Sequence, residues 1–305
     1  MVAGVVQRLV YKFSKLGTGV RFPPPAPTKN MTLITRITQL SEKGVRPLNE
    51  DTVLINKSSG IFGIFDGASS LDSFLSADKK TGAYIASHIA HDVFLKSKQS
   101  LINTLQATDI AIEEAHRINH IDITNSANRF NTTAAVVKIR DDVAELLQVG
   151  DSIILVVTKD GQVTVPLDYD DRDLALMRKW RKLADQGRTN IRQLIANDVI
   201  ELRKLGNKTY GTLNGDGKAT SFSQSMTVEL KNIATILILS DGMFIPKADP
   251  GADEDWKLCA KLYREGGLRK LYETVRNIEK SDPDLIQYPR FKLHDDASGV
   301  AIEFT

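Results

Sequence analysis

The chain has 305 residues, 42% hydrophobic and 26% charged, which suits one large or two modest globular domains with an ample core. Its formal charge is +2, but residues 1–30 carry Arg8, Lys12, Lys15, Arg21 and Lys29 and no acid, so the remainder holds −3 and gives no electrostatic reason to expect nucleic acid. One cysteine, Cys259, excludes an internal disulfide and suits a reducing, cytoplasmic setting, and no apolar run approaches the roughly 20 residues that span a bilayer.

Residues 1–30 carry no fold signal. The apolar run at residues 2–6 is too short for the core of a signal peptide, and no small-residue cleavage pattern follows. Pro23, Pro24, Pro25 and Pro27 prevent regular structure. One reading is a disordered basic leader. We favour another, in which residues 19–27, GVRFPPPAP, are a reading frame through a transfer RNA gene. Val-Arg-Phe is encoded by GTT CGA TTC, as in a T-loop, and Pro-Ala-Pro by CCG GCA CCA, ending in the acceptor CCA. The expected native start is then Met31, directly before the first strand pattern; a native chain beginning at Met1 refutes this.

Residues 33–38, LITRIT, alternate as a first strand. Arg46-Pro47-Leu48-Asn49-Glu50-Asp51 leads into a second strand at residues 52–55. Neighbouring strand residues face opposite sides, so Glu50 and Asp51 divide between reaching a metal, or its waters, and orienting it. Arg46 is suited to a two-pronged grip on phosphate. Taken alone, the hexapeptide reads rather as an exposed loop with an Arg–acid pair.

Residues 59–70, SGIFGIFDGASS, are the stretch the rest is organised around. Ile61–Phe65 is a short apolar run that ends in Asp66-Gly67. A carboxylate leaving the core there is costly unless positive charge meets it. Gly67 allows close backbone approach, and its carbonyl is a further oxygen for Mg²⁺ or Mn²⁺. On its own, Asp-Gly supports a plain turn instead, being among the commonest turn dipeptides, and the case for a metal needs carboxylates at other strand ends.

Residues 81–95 show helical spacing; His88 and His91, three apart, are expected to flank the helix rather than to bind metal. Leu101–Ile118 is a second amphipathic helix, and residues 119–130 form a loop. Residues 132–139 and 144–149 read as a strand pair, interrupted at Gly150-Asp151-Ser152 before a further strand at Ile153–Thr158. Residues 167–205 are charged and helix-rich, and the basic residues around Trp180 read as a solvated helical face. Residues 227–230 are weakly strand-like. Ile233–Leu239, IATILIL, is the most hydrophobic run, and it ends in Ser240-Asp241-Gly242, repeating the arrangement at Asp66. A helical region at residues 256–272 and a closing strand at 299–304 follow, the latter preceded by His294-Asp295-Asp296.

Asp66, Asp241 and Asp295 therefore share one context, the border of an apolar strand. Three converging carboxylates repel strongly at low dielectric. Divalent cations resolve that, and two cations sharing one Asp make a clamp for phosphoryl transfer.

The order of motifs resembles the metal-dependent serine/threonine protein phosphatases of type 2C (PPM), bacterial type. It is carried by Arg46…Asn49-Glu50-Asp51, Phe62-Gly63-Ile64-Phe65-Asp66-Gly67, Thr132-Thr133-Ala134, Val149-Gly150-Asp151-Ser152, Leu239-Ser240-Asp241-Gly242 and Asp295-Asp296-Ala297-Ser298. Each motif is weak alone, but the six in order span residues 31–305. The resemblance implies an α+β fold: a four-layer α-β-β-α sandwich of two antiparallel sheets flanked by helices, with a variable insert at about residues 167–220. It implies two Mn²⁺ or Mg²⁺ ions. Asp66 bridges both, Asp241 and Asp295 hold one, the Gly67 carbonyl holds the other, and Glu50 and Asp51 act through waters. Arg46 binds the phosphate, and Asp151 with Asp241 holds a weaker third ion. The implied chemistry is in-line attack of a metal-activated water on phosphoserine or phosphothreonine in a phosphoprotein, with a cognate kinase as counterpart.

Departures from the pattern are Ala68-Ser69-Ser70 after Asp-Gly, where His or Met and then Gly-Gly are usual, Asn131 in place of Gly, and Ile153 in place of Arg. Ala68 cannot donate a proton. Two other readings compete: a non-catalytic binding or scaffold module on the same fold, and a hydrolase of a small phosphate ester. Retention of Asp66, Asp241 and Asp295 counts against the first, whereas the metal acids do not distinguish the second.

Overall fold

A strand that is apolar at every position has to be covered on both faces, and this chain's central strands are. In the computed structural model, which describes residues 32–68, 74–169 and 171–305, Ile61–Phe65 is buried throughout. The expectations for residues 1–30, for Met31 as a start, and for Ser69 and Ser70 lie outside the described residues.

The strands run in chain order as β1 (Ile34–Glu42), β2 (Thr52–Asn56), β3 (Ile61–Phe65), β4 (Gly67–Ala68), β5 (Asn131–Thr132) and β6 (Ala134–Arg140). Then follow β7 (Val143–Val149), β8 (Ile153–Thr158), β9 (Val163–Thr164), β10 (Gln224–Glu229), β11 (Ile233–Leu239) and β12 (Ala297–Phe304). One sheet has the order β1-β12-β11-β8-β9, the other β10-β7-β6-β3-β2, and β4-β5 form a short ribbon; every pairing is antiparallel.

Alternation along each strand sorts its side chains into layers. Phe62, Ile64, Val137, Ile236, Ile238, Val300 and Ile302 fill the space between the sheets. Phe65, Val136 and Leu147 point the other way, against α1 (Gly82–Lys96) and α2 (Leu101–Ile118), where they meet Phe94, Leu105 and Ile112. Leu155, Leu237 and Leu239 face Leu271 and Val275 of the long helix Trp256–Lys280. The expected α-β-β-α sandwich is what the chain forms. Each of the large side chains so buried contributes about 1.5–3 kcal/mol.

Thr81 caps α1 by accepting from the Tyr84 N–H at 3.1 Å, and Ser100 caps α2 from Asn103 at 3.3 Å. The insert carries three helices, α3 (Leu174–Asp185), α4 (Ile191–Leu194) and α5 (Ala196–Arg203), so Trp256–Lys280 is α6. Trp180 is not part of a solvated face. It is 2% exposed, donates its indole N–H to the Leu285 carbonyl at 2.7 Å, and anchors a small core with Ile191, Ile195 and Phe291. The basic residues beside it point outward, which is how one helix satisfies both patterns. Helix α6 extends beyond residue 272, with a break at Gly266 and Gly267. Strand β10 begins three residues earlier than expected, because an exposed edge strand needs no apolar run.

Candidate active site

Antiparallel registers place the predicted acids at one rim. Leu239 pairs with both Gly299 and Ile153, so the end of β11 lies beside the starts of β12 and β8. That sets Asp241, Asp295 and Asp151 together. In the other sheet Thr52 pairs with Phe65, which puts Glu50 and Asp51 next to Asp66. Thr133 N–H and the Thr132 hydroxyl both donate to the Asp66 carbonyl at 2.8 Å, fixing the corner where Asp66 leaves β3. The Thr133 and Ser152 hydroxyls meet at 2.6 Å and tie β6 to the junction that carries Asp151. Gly150 there has φ +87°, and a β-carbon would lie 2.7 Å from the Thr133 methyl, so only glycine fits.

The two Asp-Gly corners have a packing reason. A β-carbon on Gly67 would lie 2.7 Å from the carbonyl oxygens of Ala83 and Glu50, and one on Gly242 would lie 1.9 Å from that of Asp296. In both places the missing side chain lets backbone meet backbone beside a carboxylate.

Each remaining acid has a partner. Glu50 accepts from Arg46 at 2.8 Å and from the Thr81 hydroxyl at 2.5 Å. Asp51 accepts from the Ser240 hydroxyl at 2.8 Å. Asp151 takes the Arg172 guanidinium at 2.7 Å, and its other oxygen is buried without a hydrogen bond. Asp295 takes Lys292 at 2.5 Å. Asp296 accepts from the Gly44 and Glu50 N–H groups, both at 2.7 Å, and so braces two loops. His88 and His91 stay on α1: His88 stacks on Tyr84, and His91 bonds to Asp92.

Burial drives the electrostatics. It pushes the Asp66 and Asp241 carboxyls well above the ordinary range, with the charges of Asp51, Asp151 and Asp295 adding at Asp66, and those of Asp66, Asp295 and Asp151 adding at Asp241. Burial also raises Asp51, to about 8, against the opposing Ser240 hydrogen bond. Buried carboxylates that repel one another call for positive charge. Donors that are all oxygen suit a hard divalent cation such as Mg²⁺ or Mn²⁺, so the residues fit that group. Among the described residues no three acids or histidines close on one point. Lys292 and Arg172 hold Asp295 and Asp151 at the rim, and an entering cation has to compete with them.

The rim opens into a cleft of about 560 Å³. Asp66, Asp241, Asp295, Arg46 and Ala68 line it from the sandwich, and Arg172, Arg192 and Arg203 from the insert. Sequence reasoning missed Ser240, Lys292, Arg172 and Arg203. Ser240 stands inside a recognised motif, next to Asp241, and that position was its signal; the other three have no local signature.

A family model described as Protein phosphatase 2C matches residues 46–278, well over half of the chain. The match stops short of Asp295, whose place in the cleft comes from the strand register. No curated protein matches the sequence. Many solved structures are similar in fold, and three of them serve as examples. PppA, a key regulatory component of T6SS in Pseudomonas aeruginosa, is 13% identical over 90% of this chain and 100% of its own, with a TM-score of 0.55. Serine/threonine phosphatase Stp1 from Staphylococcus aureus is 13% identical over 94% of this chain and 98% of its own, with a TM-score of 0.54. The catalytic domain of serine/threonine protein phosphatase PstP, in complex with two manganese ions, is 17% identical over 90% of this chain and 99% of its own, with a TM-score of 0.52.

Proposed function

The chain belongs to the protein phosphatase 2C family and is a metal-dependent protein serine/threonine phosphatase, and from that premise we propose which of its residues carry the reaction. Asp66, Asp241, Asp295 and the Gly67 carbonyl would hold two ions, Mn²⁺ or Mg²⁺, with Asp66 shared and Glu50 and Asp51 acting through waters. When bound, the ions supply a nucleophilic water at neutral pH and neutralise phosphoryl charge. Arg46, steadied by Glu50, binds the phosphoryl oxygens. Ser240 orients Asp51. Ala68 lines the cleft and has no proton to give, so the leaving alkoxide takes its proton from water. Asp151 and Asp241 would form a weaker third site, where Arg172 already neutralises Asp151. The substrate is a phosphoserine or phosphothreonine protein, and a cognate kinase supplies it. The single buried Cys259 supports a reducing, cytoplasmic setting.

The observation that carries this reading is that Asp66 and Asp241, from different sheets, line one cleft, where the Asp66 charge adds to burial in raising the Asp241 carboxyl. The test is hydrolysis of p-nitrophenyl phosphate and a phosphothreonine peptide with Mn²⁺, with and without chelator. Asp66→Asn is expected to abolish metal-dependent turnover; unchanged activity refutes the assignment.

A further inference from the structure

The insert gives the cleft a basic wall. Arg172, Arg192 and Arg203 all line it, against one insert acid on the same lining, Asp173. Arg172 is fixed rather than solvated: its side chain is 16% exposed, it is ion-paired with Asp151 at 2.7 Å, and its guanidinium lies 5.2 Å from the centre of the Tyr210 ring. Arg46 is fixed by Glu50 from the sandwich side. Arg203 stands within the electrostatic reach of both: after the larger effect of its burial, the charges of Arg172 and Arg46 oppose its own, and that of Asp173 supports it.

A guanidinium carries five N–H donors, so arginines that already meet an acid keep donors that an anion entering the cleft can take. The scissile phosphoryl group, bound at the acid rim with Arg46, accounts for one end of the cleft. A volume of about 560 Å³ leaves room for a second side chain, and Val199 and Ile200 of α5 supply apolar wall between the arginines.

Resting on the phosphatase reading, we propose that Arg203 and Arg192, backed by Arg172, form a second anion subsite. The enzyme then selects phosphopeptides that carry a second negative group, a carboxylate or another phosphate, close to the residue being dephosphorylated. Planar guanidiniums suit both anions, and the ion pairs of Arg46 and Arg172 hold these two in place before substrate arrives.

The test uses the full-length, Mn²⁺-loaded protein and three phosphothreonine peptides of equal length, with a neutral neighbour, a neighbouring Asp, or a second phosphothreonine. Wild type is expected to favour one or both charged peptides over the neutral one by about tenfold or more in kcat/KM. Which charged peptide leads tells carboxylate from phosphate. Arg203→Gln is expected to bring that ratio toward one, and the exposed Arg192→Gln, which leaves the fold alone, to lower it several-fold. Equal kcat/KM for all three peptides in wild type overturns the subsite while leaving the phosphatase reading intact, as does a ratio unchanged in both variants. Hydrolysis of none of them, nor of p-nitrophenyl phosphate, overturns the phosphatase reading; fluorescence-anisotropy affinities for the same peptides then decide the subsite by the same ratios.

Discussion

Gly242→Ala adds one methyl group where the two halves of the acid rim touch. The new β-carbon would lie 1.9 Å from the Asp296 carbonyl oxygen, 2.8 Å from its carbonyl carbon and 3.1 Å from the Ala297 α-carbon. All three neighbours are backbone, so no rotamer change relieves the contact. Restoring an ordinary separation of about 3.4 Å moves the start of β12 from the end of β11 by about 1.5 Å, the difference between that value and the built contact. Overpacking costs roughly 1–3 kcal/mol, and rigid neighbours place this case near 3. At about 2–4 °C per kcal/mol for a chain of this size, Tm falls by roughly 6–12 °C. The same shift separates Asp241 from Asp295, and a misplacement of about 1 Å lowers turnover about 100-fold. Thermal melts, Mn²⁺ titration calorimetry and p-nitrophenyl phosphate kinetics read the three effects. Gly161→Ala is the control: its φ is +86° with nothing within 4 Å of a β-carbon, so it costs about 1–2 kcal/mol of backbone strain and leaves Mn²⁺ affinity unchanged. A Gly242→Ala protein that melts within about 1 °C of wild type and binds Mn²⁺ equally well refutes the packing argument.

Asp66→Asn removes a buried charge that its neighbours oppose, so the metal-free variant is expected to melt a few degrees above metal-free wild type and to lose the Mn²⁺-dependent rise in Tm. Lys292→Gln frees Asp295 from its tethered cation, and calorimetry is expected to show about tenfold tighter Mn²⁺ binding. His116 is 1% exposed and accepts the Phe130 N–H at 2.8 Å; burial, with the Arg129 charge adding, pushes its imidazole down to about 4. Its stabilising contribution is complete above about pH 6.5 and is lost as pH falls through 4. Urea denaturation of wild type against His116→Gln is expected to show wild type losing about 3 kcal/mol more across that window.

The parts of the site legible in the sequence are those that local pattern dictates. Ile61–Phe65 and Ile233–Leu239 are nearly all apolar, and runs this short that end at Asp-Gly or Ser-Asp-Gly suit a strand covered on both sides; an acid at the end then marks a rim. Asp66 and Asp241 could be read that way without a structure. Lys292 and Arg172 could not, because each acts through a neighbour set by chain reversal or by the insert's fold, and a lysine or arginine in a charged segment looks like any solvated one. The burial of Trp180 was not legible for the same reason: the residues that cover it, Leu285 and Phe291, lie about a hundred positions away. The glycine of each Asp-Gly corner was legible as a turn residue, but the reason it must be glycine, a backbone contact with another element, was not.

Mutually repelling carboxylates stay together only if the backbone beneath them cannot relax, and the structure shows how that is arranged. Arg276 donates to the Asp295 carbonyl at 2.5 Å while its other arm holds Glu279, and Glu279 in turn meets His294 at 2.9 Å, so the peptide carrying Asp295 is gripped from below by a buried network. Asp296 grips the loop of Gly44 and Glu50, Ser240 joins Asp51 to the Ser298 N–H, and Thr132 and Thr133 pin Asp66. Every one of these bonds fixes main chain or a supporting acid, and none of them neutralises Asp66 or Asp241. Rigidity of the rim and repulsion at its centre are therefore one arrangement: the brace prevents the carboxylates from separating, so the free energy of their crowding is available to whatever cation relieves it.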